Sequence, residues 1–134
     1  MPFLDEIAAR IVSEGAGTLG QDLFLSTKAN IPSGDGPYTS LIETGGATSR
    51  RTRLRPTQRP SAQIMVRAST YPAARAQAVA VQAALGGDEG LYNIDLSGTF
   101  YQSIVPAQQI SDFGLDDLNR ARVVFNINVE KNPS

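Results

Sequence analysis

Apolar residues near the start of the chain recur at helical spacing. The residues that share this face are Phe3, Leu4, Ile7, Ala8, Ile11 and Val12. This spacing predicts an amphipathic helix that packs against a sheet. Asp5 and Glu6 lie in the first turn, where the helix dipole favours negative charge, and Gly15 and Gly17 end the helix.

A second helix is predicted from about Pro72 to Leu85. Proline is favourable at the first helical position because its missing N–H would be unpaired there, and Gly86 and Gly87 stop the helix. The segment is mostly alanine and valine, so its apolar surface is wide. Two interpretations stay open: the helix packs only on its own sheet, or a neighbouring subunit covers its other flank.

The clearest strands alternate apolar and polar residues with period two. The alternation predicts strands over Ala62 to Ser69 and Arg122 to Glu130, each with one buried face. A strand over Tyr38 to Thr44 precedes them, and with the strand from Ala62 it is typical of a hairpin with an extended tip. The sequence thus predicts strand pairing around a long connection.

Shorter strands are predicted at Leu23 to Leu25, Leu91 to Leu96 and Thr99 to Val105. The stretch from Ser111 to Asn119 is interpreted as a polar, turn-rich connection. The element order predicts an α+β fold, a mostly antiparallel sheet flanked by two helices. With 134 residues, we expect a single domain over 1–134.

Composition removes several kinds of chemistry. The chain has no cysteine and no histidine, so thiolate metal sites, disulfides and His-dependent nucleophiles are excluded. The lack of cysteine agrees with a reducing compartment. No apolar run approaches the about 20 residues that span a bilayer, and the acidic N-terminus does not resemble a signal peptide. We therefore expect no membrane association.

The carboxylates do not form a catalytic pattern. Asp116 and Asp117 are adjacent, which points them in different directions on a strand or a helix, so they are interpreted as a solvated turn. Gly34-Asp35-Gly36 is likewise interpreted as turn chemistry, because no calcium-binding pattern follows it. We expect no enzyme activity, no cofactor and no metal.

The segment from Gly45 to Ser61 concentrates the positive charge of a chain whose formal net charge is -1. Most loops run about 4–6 residues, and loops beyond about 12–15 are usually functional or disordered, which favours a contact arm. Three interpretations stay open: a solvated tip, phosphate contacts on nucleic acid, or docking on an acidic protein surface. The candidate contact residues are Arg50, Arg51, Arg53, Arg55 and Arg59.

The order and spacing of several segments resemble the tail terminator group of long-tailed bacteriophages, the phage minor capsid and tail completion proteins. The similarity runs over nearly the whole chain, and no single motif carries it alone. The segments are LDEIAARIV (Leu4 to Val12), IPSGDGPYTSLIETGG (Ile31 to Gly46), QRPSAQIMVRA (Gln58 to Ala68), TYPAARAQA (Thr70 to Ala78) and LNRARVVFNINVEK (Leu118 to Lys131).

The resemblance implies a structural virion protein with a tail-terminator-like fold and no catalytic residues. Such terminators form a ring, typically six-fold, on the head-proximal end of the tail tube. The ring stops tube polymerisation and offers a surface for the head connector. The implied partners are further copies of the chain, the tail tube protein, head–tail connector proteins and, in passing, the genomic DNA in the channel. The implied locations are the virion tail and, during assembly, the host cytoplasm.

The resemblance also sharpens the interpretation of the arginine-rich segment. In a ring of heterologous contacts, a long hairpin can reach the next subunit, the tube or the channel. One hypothesis is that Gly45 to Ser61 becomes ordered only on assembly, through Arg–carboxylate pairs. Two other protein classes remain: a head–tail connector adaptor or stopper, and a nucleic-acid-binding module that uses the basic segment.

Overall fold

A computed structural model describes residues 3–25, 36–45, 47–50, 57–116 and 119–132, with the backbone alone for 47–50. Two helices and nine strands lie within these ranges. The predicted helices and strands are confirmed, with ends that differ by no more than one residue. The elements are α1 (Phe3–Ser13), β1 (Leu23–Leu25), β2 (Tyr38–Glu43), β3 (Ala47–Arg50), β4 (Thr57–Arg59), β5 (Ser61–Ala68), α2 (Tyr71–Ala84), β6 (Leu91–Leu96), β7 (Thr99–Pro106), β8 (Ser111–Leu115) and β9 (Ala121–Lys131).

The strands form one large sheet around β9. On one side β9 pairs with β5 and, at its end, with β4; on the other side it pairs with β8 and β7. β2 extends the sheet beyond β5, and β6 extends it beyond β7. The described pairs are antiparallel except for β1 with β2. The fold is therefore α+β with a mostly antiparallel sheet, as predicted.

Both helices pack on the same face of this sheet. Along β5, Ala62, Ile64, Val66 and Ala68 are essentially unexposed and alternate with half-buried neighbours. Val66 lies opposite Val123 of β9, and the same face receives the apolar sides of both helices. The helix residues of this core include Ile7, Ile11, Ala74, Ala78 and Val81. We call this side of the sheet the covered face.

Side chains fix the ends of the helices and join one helix to the other. The Thr70 hydroxyl accepts a hydrogen bond from the Ala73 N–H at 3.3 Å, which caps α2 one residue before its start. Arg10 Nε donates to the Ala84 carbonyl at 3.0 Å, and Gln77 Nε2 donates to the Ala16 carbonyl at 2.8 Å. Neither described helix is long and apolar enough to cross a membrane.

The arginine-rich segment is a strand pair at its two ends, and the prediction of a connection without strands was wrong there. β4 continues β5 past Pro60 in a single register, because Ser61 lies opposite Asn128 and Gln58 lies opposite Lys131. β3 pairs antiparallel with β4. Polar residues without an apolar alternation carry no strand signal, yet they pair here because the hairpin of β2 and β5 continues into them.

The interpretation of Ser111 to Asn119 as a connection was also wrong in its first half. β8 pairs with β9 along its whole length, although all five of its residues are exposed. The Asp112 carboxylate accepts the Gly114 N–H at 2.8 Å beside a register shift in the strand. Strand β8 forms because the edge of β9 offers backbone groups that need hydrogen-bond partners. Residues 111–115 themselves have no apolar alternation that would predict a strand.

Candidate interaction surface

The second face of the sheet receives neither described helix, and we call it the open face. Strand alternation assigns its residues, because each lies next to a buried residue of the covered face. Its residues mix apolar, amide and charged side chains, which is typical of a surface that contacts water or a polar partner. They are Tyr38, Ser40, Ile42, Gln63, Met65, Arg67, Arg122, Val124, Asn126, Asn128 and Glu130.

Two arginines lie side by side at one end of the open face. Arg67 of β5 is directly opposite Arg122 of β9, and Tyr38 of β2 is directly opposite Arg67. Each guanidinium lies over an aromatic ring: Arg67 Cζ is 5.3 Å from the Tyr38 ring centroid, and Arg122 Cζ is 4.8 Å from that of Phe113. These rings hold both cations in place although like charges directly opposite each other repel.

Strand β8 positions the guanidinium of Arg122. Its Nη2 donates to the Leu115 carbonyl at 3.0 Å, and Nε lies 3.5 Å from the Gly114 carbonyl. These contacts are to neutral backbone oxygens. Among the described residues, Arg122 has no carboxylate within ion-pair distance. Arg122 is therefore a half-buried cation without a charged partner in the described part of the chain.

Asp116 is part of an ion pair, and its interpretation as a solvated turn residue was wrong. Its Oδ2 accepts from Arg120 Nε at 2.8 Å, and its Oδ1 accepts the Arg120 N–H at 2.8 Å. Both side chains are mostly buried, with 14% and 12% exposed. The turn that follows β8 brings these groups together, since the Asp116 N–H also donates to the Arg120 carbonyl. Asp117 lies outside the described residues.

The two arginines line a cavity of about 220 Å³. We call it the arginine cavity. It opens between β2, β5, β9 and the turn after β8, and its walls combine cationic, hydroxyl and apolar groups. Its lining residues are Tyr38, Ser40, Ile42, Met65, Arg67, Asp116 and Arg122.

A second cavity, of about 270 Å³, lies where the sheet continues into the arginine-rich segment. Arg59, a predicted contact residue, lines it and faces Glu130 with Nη2 4.0 Å from Oε1. This pair is at the limit of ion-pair distance and partly exposed, so it contributes little to stability. The side chain of Arg59 is therefore available to a partner.

Of the other predicted contact residues, the structure describes only the backbone of Arg50. Arg50 ends β3, where the backbone is described. Arg51, Arg53 and Arg55 lie outside the described residues. The segment 45–61 holds five arginines and no acid, while the rest of the chain holds all thirteen acids against seven basic residues. The segment thus carries a charge of opposite sign to the remainder.

A separate polar cluster is buried on the covered face. Glu6 of α1 is fully buried, and its Oε1 accepts the hydroxyl proton of Tyr101 at 2.8 Å. Lys131 is 2% exposed, and its Nζ lies 5.8 Å from the Tyr101 ring centroid. Burial raises the pKa of Tyr101, and the hydrogen bond and negative charge of Glu6 raise it further. Tyr101 therefore remains a neutral donor.

Sequence reasoning placed Arg67 and Arg122 on the polar side of their strands but did not select them as contact residues. The alternation in both strands was the available signal. Only the folded sheet shows that the strand register sets the two arginines opposite each other. It also shows that the Phe113 ring of β8 lies against Arg122. The ranges that the structure describes contain no group of three or more acidic side chains arranged to hold a metal ion.

Comparison with known proteins agrees with this architecture. A sequence model of the family "Bacteriophage tail terminator protein" matches residues 10–133. The chain belongs to this family. The resemblance drawn from the sequence is thereby confirmed, and the role of this tail terminator family member is that of a structural phage tail protein.

A solved structure supports the fold of this tail terminator family member. A chain from the "Virion of native gene transfer agent (GTA) particle" aligns with a TM-score of 0.63 at 16% identity. The alignment covers 95% of this chain and 84% of the other. No curated protein sequence matches the chain. At this identity the likeness concerns the fold alone.

Proposed function

We propose that the protein assembles as a ring on the head-proximal end of the tail tube, stops tube polymerisation and provides the head–tail joining surface. The observation that supports this most strongly is the family match over residues 10–133. The similar chain in a gene transfer agent virion supports a fold compatible with this role. The partners are further copies of the chain in a six-membered ring, the tail tube protein and head–tail connector proteins.

Assembly uses the open face and the arginine-rich segment that continues from it. The covered face already has its apolar residues packed under two helices, so it offers no comparable surface. The open face carries mostly exposed or half-buried polar groups and two cavities. The contact residues are Arg50, Arg51, Arg53, Arg55 and Arg59, which meet a neighbouring subunit or the tube and pass close to the genomic DNA in the channel.

The hypothesis that Gly45 to Ser61 becomes ordered on assembly stays a prediction, and its central residues, 51–56, lie outside the described residues. β3 and β4 pair with each other in the single chain, and β4 also pairs with β9. The protein acts in the virion tail after assembly in the host cytoplasm, and its role requires no enzyme activity or cofactor.

Electron microscopy of preformed tail tubes mixed with the purified protein tests this function. We expect ring-shaped density on one end of each tube, and no further elongation when tube subunits are added. Tubes that elongate normally and carry no density would contradict the proposal. If the protein instead bound isolated portal rings, the function would be that of a connector adaptor or stopper.

Binding to nucleic acid is a second candidate function, favoured only by the excess of arginine in the segment 45–61. It predicts that the isolated protein binds DNA with an affinity that falls steeply as salt rises, because phosphate contacts release counterions. The segment 45–61 contains no aromatic residue that could stack on bases. Tube binding without DNA binding would reject this candidate.

A further inference from the structure

We propose that the arginine cavity receives an acidic side chain of a neighbouring virion protein, with Arg122 as its principal contact. The inference rests on the proposed function in one respect: assembly supplies the neighbour. The cavity itself is formed by described residues of a single chain. It adds a contact that lies outside the arginine-rich segment, at the other end of the open face.

The described fold holds the Arg122 guanidinium in place, but no described carboxylate forms an ion pair with it. Its contacts are the Phe113 ring and the carbonyls of Gly114 and Leu115. A ring and two carbonyls fix the direction of a guanidinium but leave its positive charge unmatched. A side chain prepared in this way loses little conformational entropy when a carboxylate binds to it.

The position of Arg67 strengthens the attraction for an anion. Arg67 and Arg122 are directly opposite on adjacent strands, and both line the cavity. A carboxylate in the cavity would lie near both guanidinium groups. Charge-assisted hydrogen bonds from arginine to carboxylate are among the stronger polar contacts in proteins.

The shape and lining of the cavity favour a carboxylate side chain over a phosphate backbone. A volume of about 220 Å³ is smaller than the roughly 300–1,000 Å³ of sites that enclose whole ligands. Ile42 and Met65 provide apolar walls for an aliphatic stem. Asp116 also lines the cavity, where its carboxylate is paired with Arg120.

The first experiment uses the isolated protein and small probes, so it does not depend on the proposed function. The protein is titrated with N-acetylglutamate N-methylamide, and the NMR signals of the arginine side chains and of Phe113 are followed. We expect shifts at Arg122 and Phe113 that saturate with glutamate and are absent with the glutamine analogue. Equal responses to both analogues, or none, would overturn the proposal. Shifts caused by a short DNA duplex alone would overturn it in favour of nucleic acid.

The second experiment measures affinity for preformed tail tubes. Arg122→Gln removes the charge, Arg122→Lys retains it, and Arg75→Gln is the control. Arg75 is an exposed arginine of α2 whose guanidinium also contacts neutral oxygens, those of Tyr71 and Ile110. We expect Arg122→Gln to weaken binding by about tenfold or more, Arg122→Lys to recover part of the loss, and Arg75→Gln to have less than about a twofold effect.

The two experiments separate failure of this inference from failure of the proposed function. Tube binding by the wild type with unchanged affinity in Arg122→Gln would overturn the inference and leave the tube-end function standing. Loss of tube binding in the wild type would contradict the proposed function, while the glutamate titration would still decide on the cavity. Thermal unfolding of each variant confirms that lost binding does not reflect a lost fold.

Discussion

The two faces of one sheet differ in burial, although the same strands build both. On the covered face, Ile64 and Val66 of β5 and Val123 of β9 are fully buried beneath the helices. On the open face, Arg67 and Arg122 lie one residue away along the same strands, over aromatic rings and beside a cavity. Period-two alternation therefore separates the residues that stabilise the fold from those available to a partner.

Because burial differs between the two faces, side chains of the open face can be replaced without loss of the fold. A buried apolar side chain is surrounded by others of the core, so its removal leaves a void. A polar side chain on the open face is partly hydrated in the free protein, so its removal costs stability little. Substitutions on the two faces should consequently separate effects on unfolding from effects on binding.

The largest expected effect comes from truncation on the covered face. Ile64→Ala should lower the free energy of unfolding by about 2–5 kcal/mol, because Ile64 is fully buried. The matched change on the open face is Met65→Ala, at the next residue of the same strand, which is half-buried. We expect a loss of about 1 kcal/mol there. Urea unfolding measures both losses, and equal losses would contradict a difference in burial between the two faces.

A smaller effect is expected from the buried polar cluster on the covered face. Tyr101→Phe should lower the free energy of unfolding by about 1–3 kcal/mol, because the buried Glu6 carboxylate loses its hydrogen-bond donor. Tyr92→Phe is the control, since Tyr92 is 59% exposed on the edge strand β6. Unfolding curves that fall together for both variants would show that the hydrogen bond to Glu6 contributes nothing.

The same tyrosine predicts a pH dependence of stability. The pKa of Tyr101 is raised in the folded protein, so above pH 10 the unfolded chain loses this proton while the folded chain keeps it. Stability from this group is thus complete below pH 10 and falls as pH rises further, by up to about 1.4 kcal/mol per pH unit. The free energies of unfolding of wild type and Tyr101→Phe, measured at pH 9, 10 and 11, should approach each other as pH rises. A constant difference between them would contradict the prediction.

The smallest effect on stability is expected at the partly exposed ion pair of the open face. Removing the Arg59–Glu130 pair should change the free energy of unfolding by less than about 1 kcal/mol, because the charges are 4.0 Å apart and partly hydrated. A double-mutant cycle with Arg59→Gln and Glu130→Gln measures the coupling. A coupling of several kcal/mol would mean that this end of the open face also stabilises the fold.

Periodicity predicted the fold well because the covered face imposes it on the sequence. The alternation in β5 and β9 and the helical spacing in α1 are direct consequences of burial on one side. β3, β4 and β8 escaped prediction because partner strands, not their own apolar residues, determine them. The arginine cavity escaped for the same reason, since the register of β5 on β9 places Arg67 beside Arg122.

The most direct test of the open face as the assembly surface is cysteine labelling on tail tubes. The chain has no cysteine, so a single introduced thiol reports one position. Asn128→Cys places it on the exposed part of the open face, and Ala83→Cys places it on the exposed side of α2. We predict that tube binding slows maleimide labelling at 128 by about tenfold or more while 83 reacts as in the free protein. Protection at 83 with unchanged labelling at 128 would contradict this account.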